Sequence, residues 1–163
     1  MTSRGDVIVI ERSGGTVIKY TADAHQIRQI KLSSDINLAR VYHAIETSTG
    51  TSILISLAYN PKKNLHPAVC EVSFEGHIIK SFDLLSNSYP SNTTTDADGN
   101  VYVPDTGYCR VLILDSSLNL RRAIQMTNDP YLLSYSQETK QLIVAGHYRN
   151  SEFLQPIISF LLQ

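Results

Sequence analysis

The residues of this chain that could do chemistry are few and scattered. Five histidines stand at positions 25, 43, 66, 77 and 147. None has the H-x-x-x-H or H-E-x-x-H spacing that sets two imidazoles on one metal. Cys70 and Cys109 belong to no C-x-x-C pair, which argues against a metal knuckle or a redox motif and for buried, reduced packing residues. A G-x-S-x-G elbow, a P-loop and a dinucleotide fingerprint are all absent. Asp105 and Glu11 each close a short apolar run. Such carboxylates could join a polar ring, or accept backbone N–H bonds from the following turn, here Thr106-Gly107. The second is the preferred reading.

Two segments mix basic and aromatic residues. Lys62-Lys63-Asn64-Leu65-His66 follows Tyr59, and His147-Tyr148-Arg149 precedes Phe153. Single-stranded RNA is held by basic groups interleaved with exposed aromatics, and both ingredients are present. Three or four cations give only a weak field. A protein partner would instead use Tyr59, Leu65, Tyr148 and Phe153 as apolar anchors. The candidate partner-binding residues are therefore Tyr59, Lys62, Lys63, Leu65, His66, His147, Tyr148, Arg149 and Phe153.

Charge favours the protein. The chain has 163 residues with 14 basic and 15 acidic groups and a net charge of −1. Residues 1–80 are +2 and residues 81–163 are −3, too little to draw nucleic acid or an anionic membrane. No apolar run approaches the ~20 residues that span a bilayer. Met1-Thr2-Ser3-Arg4-Gly5-Asp6 lacks the layout of a signal peptide, so a cytosolic location with reduced thiols is expected.

The elements that carry these residues repeat. Val7-Ile8-Val9-Ile10, Ile53-Leu54-Ile55, Val101-Tyr102-Val103 and Leu142-Ile143-Val144 start 46, 48 and 41 residues apart, a spacing that suits a four-stranded propeller blade of ~40–50 residues. Gly5–Glu11 aligns with Gly99–Asp105 without a gap, and Thr16–Tyr20 with Arg110–Leu114. Gly and Asn in Asp98-Gly99-Asn100 and Ser13-Gly14-Gly15 tolerate the positive φ of tight turns. The central strands are apolar on both faces, as they must be when each sheet is sandwiched between neighbours. The expected fold is all-β, a partial propeller of about four antiparallel meander blades. Their approximate spans are 1–36, 37–87, 88–127 and 128–163, the first lacking its innermost strand and the last its outermost. The equivalents of Asp105 in blades two and four are Leu57 and Gly146, which argues against a calcium site built from converging carboxylates.

Within blade three, Asp96-Ala97-Asp98-Gly99-Asn100-Val101-Tyr102-Val103-Pro104-Asp105-Thr106-Gly107-Tyr108-Cys109-Arg110-Val111 resembles an NHL repeat. That pattern has a D-x-x-G-N turn, a Y-V strand, an A-D-T-G-N turn and an R-V strand. Pro104 replaces the usual alanine, and Tyr108-Cys109 the usual Asn-His. Blade one resembles a diverged copy, and blades two and four keep the apolar skeleton. The resemblance implies a propeller like those of tripartite-motif proteins, whose NHL rings bind proteins or RNA and usually have about six blades. It implies no ligase, because RING and B-box cysteine and histidine spacings are missing.

The sequence thus leads to a non-enzymatic scaffold without cofactor or metal that binds another macromolecule, with a protein preferred. The alternatives are single-stranded RNA on the loop face, or a calcium-dependent propeller hydrolase. The simplest context is the C-terminal portion of a longer propeller, so the remaining blades or self-association should complete it.

Overall fold

The computed structural model describes residues 6–11, 15–33, 36, 40–58, 66–147 and 154–161, with His147 and 154–161 described by backbone alone. Four antiparallel sheets follow one another along the chain. Blade one holds β1 (Val7–Glu11), β2 (Thr16–Tyr20) and β3 (Gln26–Lys31). Blade two holds β4 (Val41–Glu46), β5 (Ser52–Leu57), β6 (Ala68–Ser73) and β7 (Ile78–Asp83). Blade three holds β8 (Thr94–Thr95), β9 (Val101–Asp105), β10 (Arg110–Leu114) and β11 (Leu120–Gln125). Blade four holds β12 (Asp129–Ser136), β13 (Gln141–His147) and β14 (Leu154–Leu161). Every pairing is between sequence neighbours. The all-β partial propeller expected from the repeats is the observed architecture. Among the described residues no helix is long and apolar enough to cross a membrane.

The cores lie between blades, not within them. Val17 and Ile30 of blade one meet Ile53, Ile55, Cys70 and Val72 of blade two. Leu54 and Val69 of blade two meet Val103, Leu112 and Leu114 of blade three. Tyr102, Val111 and Ile113 of blade three meet Leu133, Leu142 and Val144 of blade four. A strand projects alternate side chains to opposite faces, so a blade with two neighbours covers the side chains on both faces of its central strands. All six residues of β5 and all five of β9 are buried accordingly.

One turn design recurs in four of the connections. Thr21, Ser73, Asp96 and Asp115 each accept the backbone N–H four residues on through a side-chain oxygen, at 3.1, 3.4, 2.8 and 2.9 Å. In each the residue three places on has positive φ: Ala24, Gly76, Gly99 and Leu118. The short polar side chain closes the turn that the left-handed residue bends. At Gly76 there is a second demand, because a Cβ there would lie 1.9 Å from the Lys31 carbonyl oxygen. Its own carbonyl accepts the Ser33 N–H at 3.0 Å, fastening blade one to blade two.

The inner strand of blade three is shorter than the Ser91–Asp96 expected from sequence. The Asn92 carboxamide oxygen accepts the Leu133 N–H at 2.6 Å and the Ser91 hydroxyl donates to the Tyr131 carbonyl, so this segment is tied by side chains to blade four. β8 pairs only with Val101 and Tyr102. Pro104, which has no N–H to give, stands beyond that short ladder.

Candidate functional site

Each inner strand starts, and each second strand ends, at one face of the molecule. Val41 pairs with Leu57, and Asp129 with His147. Three tyrosines gather there. Tyr42 and Tyr89 have ring centres 5.8 Å apart at a 38° tilt. The Arg40 guanidinium lies over the Tyr42 ring, 5.3 Å from its centre. Tyr131, at the start of blade four, also acts electrostatically on Tyr42. Burial, then the neighbouring Tyr89 phenol, raise the Tyr42 pKa, while Arg40 pulls it down. Tyr89 is 53% exposed and Tyr131 43%.

The backbone beneath these rings is clamped. After β9 the chain makes a single 3-10 turn, Thr106–Tyr108. The Thr106 hydroxyl donates to the Pro130 carbonyl at 2.6 Å, with the Tyr89 carbonyl 3.2 Å away. One side chain thus holds together the segments that carry Tyr89 and Tyr131. At Gly107 an added Cβ would stand 1.8 Å from the Asn87 carbonyl oxygen, so only glycine lets the turn approach this closely.

Asp105 does not accept the N–H groups of that turn, contrary to the sequence reading. Its side chain is wholly buried and takes the Arg110 Nε–H at 2.8 Å. The Thr106 N–H points instead at the Tyr89 carbonyl. Arg110 in turn lies 5.0 Å from the Tyr108 ring centre. Glu11 is exposed at the end of β1, so these two carboxylates share no common environment. Cys70 is buried, and burial pushes its thiol up to about 12. Cys109 departs from the expected packing role: it is half-buried, has φ of 50°, and its thiol contacts Asp129 Oδ1 at 2.9 Å.

Of the residues singled out from sequence, Tyr59, Lys62, Lys63, Leu65, Tyr148, Arg149 and Phe153 lie outside the described residues. His66 is exposed ahead of β6. His147 ends β13 opposite Asp129. The strands that lead into both segments, β5 and β13, end on the tyrosine face. Sequence reasoning missed Arg40, Tyr42, Tyr89 and Tyr131. They lie 91 positions apart at their extremes, and only the stacking of blades two, three and four brings them together.

The opposite end of the inner strands carries a cavity of about 940 Å³. Lys19 bridges Asp6 at 3.0 Å and Glu46 at 2.8 Å. Burial works against its ammonium, but the hydrogen bonds to Glu46 and Asp6 outweigh it and the Lys19 pKa rises. Asp96 accepts the Tyr102 hydroxyl at 2.8 Å and the Asn100 carboxamide at 2.7 Å. Tyr102 stacks on Tyr135 with ring centres 5.5 Å apart. Lys19 and Glu46 pair across blades one and two, and Asp96 is satisfied within blade three, which is the chemistry of a structural network. Among the described residues, no group of three or more His, Cys, Asp or Glu side chains is placed to hold a metal ion.

No protein-family model matches the chain, and no curated protein matches it. Solved structures do. Hydrazine synthase of Kuenenia stuttgartiensis superposes with a TM-score of 0.67 at 18% identity, over 93% of this chain and 42% of that one. A catalytically inactive virginiamycin B lyase from Staphylococcus aureus, solved with quinupristin, gives 0.63 at 15% identity, over 99% of this chain and 53% of that one. A gluconolactonase from Xanthomonas campestris gives 0.58 at 12%, over 85% and 43%. The chain spans about half the length of these structures, and at such identities the likeness establishes a β-propeller fold.

Proposed function

We propose that this chain is a non-enzymatic propeller scaffold of NHL type whose tyrosine face binds a protein. The observation that carries this is the cluster of Arg40, Tyr42, Tyr89 and Tyr131, aromatic and cationic, partly exposed and held on a clamped backbone. Tyrosine and arginine are the residues that dominate interface hot spots, because they bury large area at low entropic cost. The other end of the inner strands offers charges that already have partners. The NHL reading is supported by the motif of blade three: Asp96 closes the first turn and Asp105 pairs with Arg110, so its polar residues have structural work within one sheet.

The test is a panel of phage-displayed peptides selected on the chain, followed by titration against Tyr89→Ala and Tyr131→Ala. Binding should fall about thirtyfold or more for a hot-spot tyrosine and should tolerate salt. The competing RNA reading relies on Lys62, Lys63 and Arg149. For three phosphate contacts on a single strand it predicts a slope of log K on log salt of about −2. Tight binding of oligouridine with that slope, lost in Lys62→Ala/Lys63→Ala and unaffected at Tyr89, would overturn the proposal. So would hydrolysis of a lactone that appears only when calcium is titrated in.

A further inference from the structure

The two outer faces of the stack are made like its inner ones. In blade one, Val17 and Ile30 face blade two and are 0% and 1% exposed. On the other face of the same sheet, Val7 and Val9 are 47% and 44% exposed. By register Val7 stands beside Tyr20 and Val9 beside Ile18, and Ile27 is exposed on the same side. In blade four, Leu133, Leu142 and Val144 face blade three, while Leu132 and Ile143 on the reverse are 41% and 44% exposed. A sheet that keeps one face in water normally alternates apolar with polar residues. Here β1 and β13 place β-branched residues on both faces, which is the pattern of strands covered twice.

These two faces are not alike. Each internal interface joins the trailing face of one blade to the leading face of the next. Blade one presents an uncovered leading face and blade four an uncovered trailing face. They are therefore the two halves of the interface that the molecule forms three times internally, which calls for a heterologous, head-to-tail contact. Such a contact either closes into a ring or runs on as a filament. Four blades correspond to about half of the propeller structures that the chain matches almost end to end. Two copies thus supply the arc of one ring.

We infer that the occupant of both faces is a second copy of this chain, the blade-four face of each copy seated on the blade-one face of the other in a closed ring of two. The proposal is independent of the tyrosine face, which lies at the ends of the strands and stays open.

Sedimentation of the full chain, with Val9→Asp and Ile143→Asp, tests it. Both side chains are exposed in the single copy, and circular dichroism checks that each variant keeps its fold. Wild type should sediment as one species of two copies, and each variant as a monomer, because a buried aspartate at either half destroys both contacts of the ring. Mixing the variants should restore a two-copy species at concentrations above those that wild type needs, since the Val9→Asp copy retains a sound blade-four face and the Ile143→Asp copy a sound blade-one face. A monomeric wild type, an open ladder of sizes, a dimer indifferent to either aspartate, or a mixture that stays monomeric at its highest soluble concentration would overturn the inference.

Discussion

The hydroxyl of Ser56 meets the hydroxyl of Thr93 at 2.8 Å, and both side chains are shut off from solvent. This bond runs from the second strand of blade two to the connection entering blade three. Beside it the Thr93 N–H donates to His43 Nδ1 at 3.1 Å. Two blades whose shared core is the apolar cluster around Leu54, Val69, Val103 and Leu112 are pinned here in register. A buried hydroxyl deprived of its partner costs about 1–3 kcal/mol. Ser56→Ala and Thr93→Val should each lose about that much in urea unfolding. The double variant should lose clearly less than the sum, a coupling that unconnected sites would not show.

His43 gives the fold an acid-sensitive point. Burial lowers its pKa from 6.5 to about 4, so it stays neutral in the folded chain. Between those values the unfolded chain binds the proton and the folded chain does not, hence stability falls as pH falls. The contribution is whole above pH 6.5 and is lost as pH drops through about 4, on the order of 3 kcal/mol at full extent. His43→Gln keeps an acceptor without a titrating proton. Its stability should change less than that of wild type between those two pH values, measured by denaturant midpoints.

Asp105 is a carboxylate with no solvent and one cation, Arg110. Its Oδ1 has no hydrogen-bond partner among the described residues. Arg110→Met leaves that charge alone and should cost about 3 kcal/mol, whereas Asp105→Leu/Arg110→Met should recover most of the loss, because two apolar groups have no charge to desolvate. Thermal melts of the three proteins decide it. Equal melting of single and double variants would contradict this account.

Ala24 holds φ of 65° at the tip of an exposed turn. The left-handed conformation costs an L-residue roughly 1 kcal/mol and glycine almost nothing. Ala24→Gly should therefore stabilise the chain by about 0.5–1 kcal/mol, opposite in sign to the usual effect of adding glycine to the unfolded chain. A lowered midpoint would show that the turn is not the strained element it looks to be.

The fold was open to sequence reading because its signals are local. Runs such as Ser52–Leu57 and Arg110–Leu114 carry their burial in their own composition, and the spacing of such runs measures a blade. Turn chemistry was only half visible. Gly99 announces a left-handed residue, whereas Ala24 and Leu118 adopt the same conformation without advertising it. Asp105 was misread because its partner is a neighbour across the β9–β10 hairpin, five residues on, and not the turn between. The tyrosine face could not be read at all: Tyr42, Tyr89 and Tyr131 share no motif and meet only through stacking, a relation that periodicity does not encode.

Three separate cores between four sheets make the molecule a short one-dimensional lattice. Blades two and three have two neighbours each, and blades one and four have one. In such a row stability is approximately a sum of nearest-neighbour contacts, so opening begins at the ends and moves inward. In a copy whose outer faces are uncovered, amide exchange should be slowest in β5, β6, β9 and β10 and fastest in β1–β3 and β12–β14, with blade four peeling away while blades two and three still hold. Closing the row into a ring would remove its ends, and with them the gradient.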